Sequence, residues 1–170
     1  MRIKSGVAWA IICLFIFSSC GQVLDKAYDV ILDGIYQDSF PLISSKALHK
    51  KLTENEELIL LDTRTTKEFN VSHLRGARYV GYDDFEIGKL QNVPRDAQVV
   101  VYCSVGYRST KVGEKLKQAG FTNVYNLYGG IFEWVNEGFA VYDTIGETNK
   151  VHAYSKTWGI WLRKGDKVYE

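Results

Sequence analysis

Two short apolar runs stand out in the chain: Leu58-Ile59-Leu60-Leu61, ending at Asp62, and Val99-Val100-Val101-Tyr102, ending at Cys103. Runs this short and continuous mark central strands covered on both faces, since a half-buried strand alternates and a buried helix is longer. Ala77–Val80 and Val124–Leu127 are weaker strand candidates. Between the runs the spacing turns helical. Ser109–Ala119 places Val112, Leu116 and Ala119 on one face and Lys111, Lys115 and Lys117 elsewhere, with Gly120 as the stop. Ile131–Glu137, after Gly129-Gly130, and a short segment capped by Ser44 or Ser45 and running through Lys51 add two further helices. Strands alternating with helices predict an α/β domain with a mainly parallel sheet. In such sheets ligands gather at the carboxyl ends of strands, where Asp62 and Cys103 sit.

The two ends of the chain depart from this alternation. Met1–Cys20 carries Arg2 and Lys4, an unbroken apolar run Val7–Phe17, and then Ser18-Ser19-Cys20. The run is shorter than the roughly 20 residues that span a bilayer core, and it fits the apolar region of a secretory signal. The Phe-Ser-Ser-Cys ending resembles a bacterial lipoprotein signal. That resemblance implies loss of residues 1–19, acylation of Cys20, and a protein held on the bilayer of the cell envelope, facing the periplasm; an uncut signal anchor is the alternative. Residues 20–42 read as a tether running into a short amphipathic helix, with Val23, Leu24, Ala27, Val30, Ile31 and Ile35 spaced among polar positions. In the aromatic-rich stretch 142–170, Val151, Tyr154, Trp158, Trp161 and Leu162 recur at helical spacing before Gly165. This predicts a terminal helix packed on the domain, the alternative being a surface that covers the site or docks a partner protein.

Charge and cysteine content narrow the function. Lys+Arg 21 against Asp+Glu 20 leaves no electrostatic case for a nucleic-acid partner. No repeat or low-complexity tract is present, which excludes solenoids and fibres. If Cys13 leaves with the signal and Cys20 is acylated, Cys103 is the one thiol remaining, with no disulfide partner in an oxidising compartment. A lone Cys is often a small buried apolar residue. Its surroundings decide otherwise here.

Cys103 ends a buried strand and is followed by Ser104-Val105-Gly106-Tyr107-Arg108-Ser109, which runs directly into a helix. The backbone N–H groups of such a loop converge into an anion cradle, Gly106 permits backbone that a Cβ resists, and the helix N-terminus and Arg108 add positive potential that favours a thiolate. With these residues the chain resembles the rhodanese (thiosulfate sulfurtransferase-like) domain over about Ile43–Val141. The matching patches, in the family's order, are Ile43-Ser44; Leu60-Leu61-Asp62-Thr63-Arg64 with Glu68-Phe69; Ser72-His73-Leu74-Arg75-Gly76-Ala77; Cys103–Ser109; and Asn123-Val124-Tyr125-Asn126-Leu127-Tyr128-Gly129-Gly130 with Trp134.

The resemblance implies a three-layer α/β fold and a Cys103 persulfide, formed on a sulfur donor such as thiosulfate or a persulfide and discharged to a thiophilic acceptor. The alternative is a non-catalytic or sulfur-carrying module that acts through a partner. Four residues separate Cys103 from Arg108, one fewer than in the loop of the related dual-specificity phosphatases, so the cradle suits a sulfur better than a phosphate. Thiosulfate-preferring members often carry a basic residue just after the Cys; Ser104 and Val105 stand there in this chain. The resemblance also places Asp62 and Arg64 behind the loop. Glu68 reads equally well as a helix residue paired with a neighbour, and His73 as a structural hydrogen-bonding residue. His49 and His152 are isolated, no Cys/His spacing suits a metal, and no cofactor is expected.

Overall fold

The computed structural model describes residues 26–36 and 41–169. The signal-like segment with Cys20, and the start of the tether, lie outside the described residues. The chain divides into two units. The first ends at Gly34, and its described part is helical from residue 26 (α1). The second, from Ile35 onward, contains all that follows.

Its centre is a five-stranded sheet of β1 (Leu42–Ile43), β2 (Ile59–Asp62), β3 (Arg78–Tyr79), β4 (Val99–Tyr102) and β5 (Val124–Leu127), ordered β1-β5-β4-β2-β3. Every pairing is parallel, with Leu61 opposite Val101 and Val101 opposite Asn126. The two apolar runs are therefore neighbouring strands, and β4 is the middle one. All four β4 residues are fully buried. Val99 and Val101 join Leu61, Val112, Leu116, Phe121 and Val124 in one cluster, while the pleat turns Val100 and Tyr102 to the opposite face. Each such valine or leucine contributes about 1.5–3 kcal/mol relative to exposure, which fixes the register that carries Cys103.

The flanking helices are α2 (Ser45–Thr53), α3 (Thr66–Val71), α4 (Tyr107–Gln118) and α5 (Gly130–Asn136). Ser44 caps α2 by accepting the Ala47 N–H at 3.2 Å. Thr65 and Glu68 close a reciprocal capping box on α3. Helix α4 begins two residues before the expected Ser109. Gly106, at φ 118°, turns the chain so sharply that its carbonyl already receives the Thr110 N–H at 3.0 Å. Tyr107, Arg108 and Ser109 are therefore first-turn helical residues rather than loop.

The expected terminal helix over 151–162 does not form. Residues 141–168 make a hairpin of β6 (Val141–Tyr142) with β7 (Glu147–Thr148), a parallel pair β8 (Lys150–His152) with β9 (Asp166–Val168), and a 3-10 turn at Trp158–Trp161. Tyr154 has φ 62°, which a right-handed helix cannot contain, and it is half exposed while Val151 and Leu162 are fully buried. The helical spacing of the aromatic residues thus does not correspond to one buried face. Strand β8 packs against α3.

Candidate active site

Cys103 follows β4 as a free thiol with 1% of its surface exposed. Its Sγ accepts the Gly106 N–H at 3.1 Å, so the loop folds back on its own sulfur within three residues. Three sets of contacts hold that turn. The Gly106 carbonyl is taken up by the Thr110 N–H (3.0 Å) and hydroxyl (2.9 Å) and by Asn126 Nδ2 (3.1 Å). Ser109 Oγ lies 3.0 Å from that carbonyl and 2.8 Å from Asn126 Oδ1, and donates its proton to one of them. Because a trans peptide sets C=O and N–H in opposition, fixing this carbonyl outward turns the Tyr107 N–H the other way.

The second set is the Tyr36 hydroxyl. It accepts the Gly129 N–H at 3.0 Å and lies 2.9 Å from the Val105 carbonyl and 3.2 Å from the Leu127 carbonyl, one of which receives its proton. A Cβ at Gly106 would run into the Tyr36 hydroxyl, so this position requires glycine on steric as well as φ grounds. The third is the start of α5. Ile131 N–H binds the Cys103 carbonyl at 2.9 Å and Phe132 N–H binds the Ser104 carbonyl at 3.1 Å. Gly130 permits that approach, since a Cβ there would strike the Cys103 carbonyl. With these carbonyls drawn off, the Gly106 N–H is the group bonded to the sulfur, and the first-turn N–H groups of α4, which have no intrahelical acceptor, follow it directly in the chain.

On the outer flank stands a buried ion pair. Glu68 Oε1 accepts Ser104 Oγ (2.9 Å) and Arg108 Nη2 (2.7 Å); Oε2 accepts Arg108 Nη1 (2.7 Å), the Thr65 N–H (3.0 Å) and the Thr65 hydroxyl (2.9 Å). Arg108 Nη2 also reaches Ser104 Oγ at 3.0 Å. Burial raises the Glu68 pKa, but the hydrogen bonds and charge of Arg108, the Thr65 N–H and the charge of Arg64 outweigh it and bring it down to about 2. For Arg108 burial acts downward and the Glu68 hydrogen bonds, Cys103 and the Glu68 charge act upward; the net is upward, and the guanidinium stays charged. Its carbon lies 5.1 Å from the Tyr154 ring centroid. Next to it, buried His152 accepts the Tyr154 N–H on Nδ1 at 3.1 Å. Burial lowers the His152 pKa, Glu68 opposes that, and Arg64, Arg108 and Lys67 add to the lowering.

Asp62 and Arg64 are fully buried and pair with each other, Arg64 Nη2 lying 2.6 Å from Asp62 Oδ2 and 2.6 Å from the Ser72 carbonyl. Arg64 acts on the site through its charge, which helps hold the Glu68 carboxyl low. Val105 is buried and Tyr107 is 55% exposed at the loop's outer edge. His73 stacks on Phe69 with its Nδ1 3.0 Å from the Phe69 carbonyl, and His49 stacks on Phe139. Sequence reasoning left Glu68 undecided and missed Tyr36, Asn126, His152 and Tyr154. For Glu68 a signal was present, in the Thr65-Thr66-Lys67-Glu68 capping box.

The geometry of a buried sulfur bonded to the Gly106 N–H at the end of the central strand agrees with what the chain is similar to. The Rhodanese-like domain family matches residues 44–137, more than half of the chain, and the protein belongs to that family. A sulfurtransferase of Allochromatium vinosum is 32% identical over 99 residues, covering 58% of this chain and 92% of its own. The probable adenylyltransferase/sulfurtransferase MoeZ of Mycobacterium tuberculosis is 31% identical over 119 residues, 69% of this chain but 29% of its own, so this chain spans under a third of that relative's length. The solution structure of the rhodanese-like domain of an Anabaena protein superposes with a TM-score of 0.57 at 23% identity, covering 62% of this chain and 81% of its own. The fold is the rhodanese-like one, a mainly parallel central sheet flanked by helices.

Proposed function

We propose that this protein is a sulfurtransferase that passes a sulfane sulfur from a donor to a thiophilic acceptor through a persulfide on Cys103. The observation that carries the reading is the Cys103 sulfur on the Gly106 N–H, in a loop whose Cys103, Ser104 and Gly106 carbonyls are all engaged elsewhere. In the first half-reaction the Cys103 thiolate attacks the outer sulfur of the donor. An Sγ–S bond forms, the donor's own bond to that sulfur breaks, and the electron pair leaves with the remainder: sulfite from thiosulfate, a thiolate from a persulfide. The amides and the N-terminus of α4 stabilise the negative charge on the bound sulfur. In the second, an acceptor thiolate attacks the outer sulfur, the Sγ–S bond breaks, and the pair returns to Cys103.

The two positions after Cys103 are the uncharged, buried Ser104 and Val105, so no cation stands there to attract a dianion, and both Arg108 η-nitrogens are engaged by Glu68. That arrangement favours a persulfide donor over thiosulfate. Incubating the chain with each donor in a Cys13→Ala, Cys20→Ala background and weighing it intact tests the reading; a persulfide should load one sulfur more readily than thiosulfate, and adding Cys103→Ser should leave none. The Ser18-Ser19-Cys20 pattern supports a further proposal about place, in which acylated Cys20 holds the protein on the periplasmic side of an envelope membrane. Cys20→Ala should then move the protein out of the membrane fraction, and an unchanged distribution would refute the anchor.

A further inference from the structure

In the segment beyond the family match, the Tyr154 ring lies against Arg108 at the start of α4. We propose that Tyr154 is a positioning residue for the Cys103 site, acting through Arg108. The proposal deepens the sulfur-transfer reading, on which its consequence for turnover rests, while its effect on the thiol itself can be read separately.

The Arg108 guanidinium is held at its edge by Glu68, through both Nη1 and Nη2, and by Ser104. Against its face lies the Tyr154 ring, 5.1 Å from the guanidinium carbon, a cation–π distance. Arg108 is left 14% exposed, yet Tyr154 itself is half exposed, so burial of its own surface does not account for its place. Its backbone sits at φ 62°, a conformation that a bulky side chain rarely adopts and that surrounding structure must enforce. The enforcement is visible. The Tyr154 N–H is bound to His152 Nδ1 at 3.1 Å, the Ala153 N–H to the Val168 carbonyl at 2.8 Å, and the Ser155 N–H to the Ala153 carbonyl at 2.7 Å.

Strand β8, which leads into this turn, packs on α3, the helix that carries Glu68. The groups around Arg108 therefore share one α3–β8 contact: the carboxylate from the helix, the ring from the turn after the strand. Removing the ring opens one face of the guanidinium to water. Ser104, hydrogen-bonded to Arg108 and adjacent to Cys103, then loses a fixed partner.

The test is the rate at which iodoacetamide alkylates Cys103 in the full chain at neutral pH, followed on the peptide that contains Cys103 and read beside a melting curve. Tyr154→Ala should slow alkylation about two- to fivefold, the fold-change equivalent of an exposed cation–π contact. Tyr154→Leu keeps bulk without a π face and should behave like Ala, which keeps the test valid if the Ala variant folds poorly. Tyr154→Phe should restore most of the rate, a rescue that simple packing by Leu would also give if the role were structural. In an Arg108→Ala background, Tyr154→Ala should have no further effect. Unchanged or faster alkylation in Tyr154→Ala, Leu matching Phe, or an undiminished Tyr154→Ala effect without Arg108 would each overturn the proposal. Sulfur loading of the wild type is measured in parallel. Failure to load there would sink the transfer reading while leaving the alkylation result to decide the role of Tyr154.

Discussion

Glu68→Gln separates the buried ion pair from the rest of the loop scaffold. The carboxylate accepts five hydrogen bonds, two from Arg108, two from Thr65 and one from Ser104. Gln keeps the shape but replaces one acceptor oxygen with a donor that must face N–H or O–H groups, and it leaves Arg108 without its counter-charge. Removing one member of a buried pair costs about 3–5 kcal/mol, and the 14% exposure of Arg108 points to the lower end. The pKa gives a second route to the magnitude. A fall from 4.5 to about 2 corresponds to roughly 3 kcal/mol of stability in the ionised state. At about 2–4 °C per kcal/mol for a chain of this size, the variant should melt about 6–12 °C lower.

The sign of the pH dependence follows from the lowered pKa. The contribution of Glu68 is complete above the ordinary carboxylate range and is lost as pH falls towards about 2. The gap between wild type and Glu68→Gln should therefore be widest near neutrality and narrow steadily below pH 4.5. Urea denaturation of both proteins across that range measures the gap directly. A gap that stays constant down the acid limb, or one under about 1 kcal/mol at neutral pH, would refute the assignment of Glu68 as the buried counter-ion.

Two further variants probe the scaffold. Gly106→Ala meets both a left-handed backbone and the Tyr36 hydroxyl, so it should cost about 1–3 kcal/mol in denaturation and abolish sulfur loading; a variant that loads normally would contradict the account of the turn. Arg64→Leu leaves Asp62 as an uncompensated buried charge and should cost about 3–5 kcal/mol by the same assay, where a loss below about 1 kcal/mol would show that the pair contributes little.

The fold was legible where its signal is local. The β2 and β4 runs, the lysine-backed face of α4 and the glycines around it all read correctly, because central strands and amphipathic helices leave their pattern in adjacent residues. The weaker candidates Ala77–Val80 and Val124–Leu127 hold β3 and β5, whereas β1, two residues long, is too short to set a period. The site divides in the same way. Cys103, Gly106 and Arg108 lie close together in sequence, at the end of β4 and the start of α4, but Glu68 meets Arg108 across 40 positions and Tyr36 meets Gly129 across 93, separations that no spacing rule senses. In the terminal segment the aromatic spacing was real and its reading as a helix failed. The Tyr154 N–H is held by His152 and the preceding Ala153 N–H by the Val168 carbonyl, and neither contact can be inferred from the order of apolar residues.

The central claim is that Cys103 carries the sulfur, and intact-protein mass spectrometry after incubation with a persulfide donor tests it most directly. The account predicts one added sulfur atom per wild-type chain, located at Cys103, discharged by a thiol acceptor and absent from Cys103→Ser. A wild-type chain that takes up no sulfur from either a persulfide or thiosulfate, or a Ser variant also lacking Cys13 and Cys20 that still gains the atom, would contradict it.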